Sequence, residues 1–335
     1  MSQPHDGVIT SRDASAVEST LGPWTGRSPN VAAVAAMPPR PIVLSFSGSG
    51  HLLCYQLGAA KKILASSWAQ HITKFAGASG GAIAAAACAL LPFERLREFA
   101  ENEAIKGRAF NAMSDALHGK GPFSTGIEEA VKVVNRSQSL FLSATHCRTG
   151  RSALFSNFRS PAELQRCVLA SAAIPRGFHP FDLLRSRPTY PEGSGIIIDP
   201  SCEWDGGAAA ADDAVDGTLP FSPHGEAYVD GGLSDSAPRL PPSIGVDALT
   251  ITPISGPQGR LVDGPPSHFH LAPLDDSPRV PLIAPRLAGM RVYLSRDNLH
   301  AFGASLGASP RKLEDWHRRG ELDAERFLRE HPEPP

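Results

Sequence analysis

From Ile42 onward, apolar runs and polar breaks alternate in an order that predicts strand, loop and helix, twice over. Ile42-Val43-Leu44-Ser45-Phe46 is short and almost continuously apolar, which predicts a buried strand. Ser47 to Gly50 then form a tight glycine turn, and Leu53, Leu57, Ala60 and Leu64 recur at helical spacing up to Trp68. A second, brief strand is expected at Ile72 to Phe75, with a helix following Ser79. Repeated strand-loop-helix units predict a parallel sheet with right-handed crossovers, whose ligands bind beyond the carboxyl ends of the strands.

Phe75 to Phe93 carries no charge for 19 residues, long enough to span a bilayer. It is mostly Ala, Gly and Ser, so a turn followed by a close-packed central helix is expected instead. Farther on, Ser309-Pro310 predicts a helix start, Leu313 and Trp316 one apolar face, and Gly320 an interruption. Ala324, Phe327 and Leu328 would continue as a second short face. A docked pair of short helices is the plain expectation, and contact with a lipid interface the sharper one.

Two stretches lack this patterning. Residues 1–40 mix Ser, Pro, Gly, Asp and Ala without a periodic face or a secretory-signal pattern, and are expected to be a flexible arm. Residues 186–227 carry Asp199, Glu203, Asp205, Asp212, Asp213 and Asp216 within 18 residues and no basic partner among them. That predicts a solvated acidic insert, with a lid over a site as its functional alternative.

At 335 residues, 41% hydrophobic and 20% charged, the chain has the composition of a globular enzyme. With 32 basic and 34 acidic residues, the net charge of −2 provides no broad footprint for nucleic acid. The cysteines at 54, 88, 147, 167 and 202 are odd in number and lack paired spacing, which suits mostly buried thiols in a reducing compartment. Asp205 to Asp216 does not reproduce a calcium loop, and His146-Cys147, His268 and His270 lack zinc spacing, so no metal or cofactor is expected. Gly48-Ser49-Gly50 begins a dinucleotide fingerprint, but Leu53 replaces its third glycine and Phe75-Ala76-Gly77 supplies no ribose carboxylate.

Gly77-Ala78-Ser79-Gly80-Gly81 is a G-x-S-x-G match, weak as a pattern and stronger for lying between a strand and a helix. A serine on such a turn exposes its hydroxyl above a helix N-terminus, making Ser79 a candidate nucleophile. Backbone N–H groups at Gly48, Ser49 and Gly50 on the adjacent loop are a candidate oxyanion hole, the alternative being a tight turn alone. For a base, His224, His268, His270, His300 and His317 lie downstream without strand-end context. Asp230 ends the short strand of Tyr228-Val229-Asp230-Gly231-Gly232 and fits better, so a Ser-Asp dyad is favoured over a triad.

These segments resemble the patatin-like phospholipases: Ser45 to Gly50 with Tyr55 and Gly58, Gly77 to Gly81, Ala170 to Pro175, and Tyr228 to Asp235. Leu249 to Gly256, Asn298-Leu299 and Gly320 to Leu328 are similar to the neutral-lipid branch that includes adipose triglyceride lipase and adiponutrin. The resemblance covers residues 42–328 and implies an α/β fold of three layers, α/β/α, with a mostly parallel central sheet. It implies a catalytic domain at 41–260 and a C-terminal extension of short helices at 261–335. The implied chemistry is hydrolysis of acyl esters by Ser79 and Asp230, releasing fatty acid from glycerolipids, triacylglycerol or another neutral lipid foremost, at a membrane or lipid-droplet surface in the cytoplasm, with a protein co-activator as a family-type partner. Leu53 and Ser236 depart from the family's usual glycine and asparagine. Leu53 is thus expected to crowd the oxyanion loop, and Leu52, uncharged, favours neutral head groups over phospholipid. Phe46, Leu52, Leu53, Tyr55, Ile174, Phe178 and Phe181 are candidate acyl-pocket residues, with plain core as the alternative. A phospholipase or lysophospholipase, a lipid acyltransferase and a weakly active lipid-binding regulator remain alternative functions.

Overall fold

Ile42–Phe46 is buried along its whole length and forms β1, an interior strand of the sheet in the computed structural model. The structure describes residues 40–147, 150–174, 197–198, 227–240, 244, 246–256, 268–275, 286–287 and 290–334. A strand buried on both faces cannot alternate polar and apolar residues, which is why β1 reads as a continuous run. It pairs in parallel with β2 (Ile72–Ala78) on one side and β7 (Asp247–Ile251) on the other. β8 (His268–Leu271) extends the parallel sheet beyond β7, and β3 (Leu140–His146) extends it beyond β2. β4 (Ser152–Phe155) then runs antiparallel to β3, with β5 (Ile197–Ile198) parallel to β4 at the edge.

The short β6 (Tyr228–Asp230) pairs antiparallel with the end of β3, outside this linear order. β9 (Arg286–Leu287) and β10 (Met290–Arg291) form a separate two-stranded ladder. The result is an α/β fold with a mostly parallel central sheet, as the strand-loop-helix order predicts. Residues Pro39–Pro335 belong to one compact unit.

Ile42, Leu44 and Phe46 join Leu140, Leu142, Leu249 and Ile251 in the main core, where α1 (Leu53–Leu64) and α2 (Gly80–Leu90) also bury their apolar side chains. On the other face Val43, Ala76, Phe141, Leu154 and Ala248 meet Leu240, Ile244 and Val246. α2 is alanine-rich and buried nearly all round, the signature of a central helix. It spans 11 residues, and no helix among the described residues is long and apolar enough to cross a membrane. α3 (Phe93–Phe99), α4 (Ala109–Leu117), α5 (Ile127–Ser137) and α6 (Pro161–Ser171) contribute Leu96, Met113, Val131 and Leu164 to the same core.

The C-terminal region departs from expectation. α7 (Arg296–Leu306) is followed by α8 (Pro310–Glu330), one uninterrupted helix of 21 residues that runs straight through Gly320. The start at Ser309-Pro310 is as predicted, but Gly320 serves a crossing and not a break. A Cβ there would lie 2.1 Å from the Tyr55 carbonyl oxygen of α1, and one on Gly58 would lie 2.3 Å from the His317 carbonyl oxygen of α8. The two glycines let the helix backbones approach closely. Around that crossing the Tyr55 hydroxyl donates to Asp323 at 3.0 Å, and Lys61 pairs with Glu321 at 2.6 Å.

Cys54, Cys88 and Cys167 are buried free thiols and Cys147 is an exposed one. Cys202, the arm up to residue 39, and all of the acidic stretch 186–227 except Ile197, Ile198 and Ala227 lie outside the described residues.

Candidate active site

β2 ends at Ala78, paired with Ser143 of β3, and the chain turns at once into α2. Ser79 forms that turn with φ 54° and ψ −129°, a left-handed conformation that strains any residue with a side chain. The strain is held by Ser171 at the end of α6: its hydroxyl accepts the Ser79 N–H at 3.0 Å and donates to the Ser143 carbonyl at 2.6 Å. β6 arrives on the same edge of β3 and places Asp230 opposite Ala144. There the Ser79 hydroxyl donates to Asp230 Oδ2 at 2.7 Å, while the Gly232 N–H donates to Oδ1 at 2.8 Å.

Asp230 is buried, and that burial raises its carboxyl from an ordinary 3.8 to about 7, against the lowering effect of the Ser79 and Gly232 hydrogen bonds. Its backbone is fixed as well. The Asp230 N–H donates to the Ala173 carbonyl at 3.0 Å, and the Thr145 hydroxyl donates to the Asp230 carbonyl at 2.8 Å. Asp235, the second aspartate of this segment, is half-buried, and desolvation raises its carboxyl to about 6, but it does not line the cleft at Ser79.

The glycine loop packs directly on this pair. Cβ atoms placed on Gly48 or Gly232 would each lie 3.6 Å from the Ser79 Cβ, so the two glycines keep the approach to the hydroxyl narrow and unobstructed. The Gly48 N–H donates to the Ser236 carbonyl at 2.7 Å, which commits it to anchoring the loop. That corrects the three-donor expectation: Ser49 and Gly50 are left as the candidate donors, with no hydrogen bond from either N–H among the described residues. Gln56, fully buried on α1, clamps the loop from behind. Its amide donates to the Ser47 carbonyl at 2.7 Å and the Ile251 carbonyl at 3.2 Å, and its oxygen accepts from the Ser49 hydroxyl at 2.9 Å.

A cleft of about 680 Å³, its open mouth included, begins at Ser79 and Asp230. Leu52 and Ile174 line it, together with Leu233, Pro253, Ile254, Phe302 and Leu306. Phe46, Leu53 and Tyr55 do not: they are buried in the main core, Phe46 on a strand buried along its whole length, Leu53 and Tyr55 on a helix turn buried all round, with Tyr55 packed on Trp316 of α8. Leu53 therefore leaves the loop uncrowded. Phe178 and Phe181 lie outside the described residues. Among the described residues no histidine and no lysine or arginine lines the cleft, and no group of three His, Cys, Asp or Glu could hold a metal.

Sequence reasoning missed Ser171, Gln56 and the wall supplied by α7. Ser171 sits inside the Ala170 to Pro175 segment, whose family resemblance was the available signal; Ser171, Ala173 and Ile174 of it all touch the site.

A serine on a strained strand-to-helix turn, hydrogen-bonded to a buried carboxylate at the carboxyl end of a parallel sheet, is the arrangement of an ester hydrolase of the serine type. Residues 44–242 match the family described as Patatin-like phospholipase, more than half of the chain, and the protein belongs to that family of lipid ester hydrolases. Among curated relatives, it is similar to Patatin-like phospholipase domain-containing protein 4 of Homo sapiens, with 26% identity over 297 residues, covering 86% of this chain and 96% of that one. Among solved structures, VipD from Legionella pneumophila superimposes with a TM-score of 0.38 at 11% identity, over 84% of this chain and 67% of that one. The ExoU-SpcU complex from the type III secretion system of Pseudomonas aeruginosa gives 0.33 at 14% identity, over 87% of this chain, which spans 52% of the matched chain's length.

Proposed function

We propose that this hydrolase cleaves neutral glycerolipids, triacylglycerol foremost, through a Ser79-Asp230 dyad. The observation that carries the reading is the 2.7 Å hydrogen bond from the Ser79 hydroxyl to Asp230 Oδ2, made where no histidine lines the cleft among the described residues. Asp230 takes the serine proton as Oγ attacks the ester carbonyl, and the Ser49 and Gly50 amides face the developing oxyanion. The proton passes to the departing alcohol, leaving an acyl-serine. Water, deprotonated in turn by Asp230, releases the fatty acid and restores the serine. A base raised to about 7 suits this task, since it is strong enough to accept the proton and still largely ionised at mildly alkaline pH.

The apolar lining supports the substrate class. A phosphate head group calls for a guanidinium or ammonium partner, and the described cleft offers none beside its apolar walls. In this reading residues 41–260 are the catalytic unit, and the extension 261–335 completes the cleft through Phe302, Ser305 and Leu306.

The test is a lipid panel of trioleoylglycerol, phosphatidylcholine and lysophosphatidylcholine, assayed with wild type, Ser79→Ala and Asp230→Asn, with and without a glycerolipid alcohol as acyl acceptor. Fatty acid released chiefly from trioleoylglycerol, and lost in both variants, is expected. Full activity in either variant would sink the dyad, and preference for a phospholipid would sink the neutral substrate.

A further inference from the structure

α7 is amphipathic in the reverse sense. Its buried face consists of Asn298, Ala301 and Ala304, while Leu299 is 60% exposed and Leu306 55% exposed. Helices on a protein surface ordinarily turn their large apolar residues inward. Leu299, Phe302 and Leu306 fall three and four residues apart, so they form one stripe, and Phe302 and Leu306 at its far end line the cleft. Ile174, 51% exposed, stands on the same cleft as a separate apolar lip.

We infer that the outward stripe of α7 is the surface by which the enzyme docks on aggregated neutral lipid, an inference that rests on the neutral-lipase reading above. The apolar path is continuous from solvent at Leu299 to the cleft that holds Ser79. Among the described residues, an acyl chain leaving a lipid surface would follow Leu299, Phe302 and Leu306 into the cleft, so the docking stripe also serves as the entry ramp. A protein partner or second copy seated on the same stripe would cover Leu306 and obstruct the mouth. The helix lies on the lipid and does not cross it, in the manner of interfacial helices. Ser305 ties the ramp to the chemistry, because its carbonyl packs so tightly on Gly50 of the glycine loop that a Cβ there would lie 2.2 Å away.

Gly303 makes the inference testable without touching the cleft. It faces outward between Leu299 and Leu306, and a Cβ added to it would meet nothing within 4 Å. Flotation with a phosphatidylcholine-coated trioleoylglycerol emulsion measures docking, and hydrolysis of a water-soluble short-chain ester measures the active site alone. Leu299→Asp and Gly303→Asp are expected to reduce the floated fraction about fivefold or more, and Gly303→Leu to increase it. All three should hydrolyse the soluble ester at the wild-type rate. Wild-type flotation in both aspartate variants would overturn the inference, as would a wild type that does not float. So would a rise in soluble-ester hydrolysis without loss of flotation, which would assign the stripe to a covering segment of the chain itself, and so would a dimer that becomes monomeric while floating unchanged. Flotation by a protein that cleaves no neutral lipid would instead count against the proposed function and leave the docking surface standing.

Discussion

Ser79 and Asp230 meet because the strands that deliver them share one edge of β3: Ala78 pairs with Ser143, and Asp230, arriving antiparallel, pairs with the next residue, Ala144. Neither side chain depends on a long loop for its position. The register that closes this gap also passes through Ser171, whose hydroxyl bridges the Ser79 N–H and the Ser143 carbonyl.

Ser171→Ala should therefore slow the enzyme without altering what it binds. Removing the bridge leaves a strained nucleophile turn with one restraint fewer, and an amide and a carbonyl without their buried partner, at about 1–3 kcal/mol. A fall in kcat of about tenfold to a hundredfold is expected, with KM within about twofold. Slower labelling of Ser79 by a fluorophosphonate at an unchanged circular dichroism spectrum would locate the effect at the turn. Equal labelling rates would show that the bridge does not position Ser79.

The raised carboxyl of Asp230 sets two pH dependences of opposite sense. Activity needs the ionised form, so kcat/KM should fall with acid below about pH 7. Stability runs the other way. A carboxyl that moves from 3.8 unfolded to about 7 folded binds more protons in the native state between those values, so the contribution of Asp230 to stability is most favourable below the lower value and declines as pH rises to about 7. Asp230→Asn removes that cost, on the order of 4 kcal/mol at the most. The variant should be inactive and melt higher than wild type at pH 8, with the gap closing toward pH 4. Equal melting temperatures at pH 8 would mean the carboxylate is not held against its solvation.

Gln56 is a second positioning residue, acting on the glycine loop from inside the core. Gln56→Leu keeps the bulk but strips hydrogen bonds from the Ser47 carbonyl, the Ile251 carbonyl and the Ser49 hydroxyl. If Ser49 and Gly50 are the oxyanion donors, the loss should fall on kcat, by about 10²-fold, because those amides act on the transition state and not on the bound ester. Affinity for a non-reactive ether analogue should be nearly unchanged. A matching loss of analogue affinity would point to general loosening of the cleft.

How much of this was legible depended on whether a residue's partners were local. Ile42–Phe46, Leu53–Leu64 and the helix after Ser79 declare themselves by period and by glycine punctuation, which act over a few residues. The second strand runs past its expected end at Phe75 because the pairing with β3 carries Gly77 and Ala78, which have little strand propensity of their own. The positioning roles of Ser171 and Gln56 were hidden for a different reason. Each is an ordinary polar residue in a helix, and a deciding partner lies far along the chain, Ser79 for Ser171 and Ile251 for Gln56. Phe46, Leu53 and Tyr55 flank the glycine loop in sequence, but β1 is buried on both faces and α1 is buried all round at this turn, so they pack in the core and not on the cleft. The cleft wall from Phe302 to Leu306 lies over 200 residues from the nucleophile, in a helix whose outward leucines local rules would have buried.

Gly320 shows the same limit and yields the clearest stability contrast. Helix propensity alone says that replacing a mid-helix glycine with alanine gains about 1 kcal/mol. At Gly320 the new methyl would be forced to 2.1 Å from the Tyr55 carbonyl oxygen, so α8 must lift off α1 and loosen the Tyr55–Asp323 hydrogen bond. Overpacking should win, and Gly320→Ala should lose about 2 kcal/mol or more in chemical denaturation. Gly303→Ala, on α7 with open space around it, should gain up to about 1 kcal/mol in the same experiment. If both variants shift stability in the same direction, the close crossing of α1 and α8 is not what Gly320 provides.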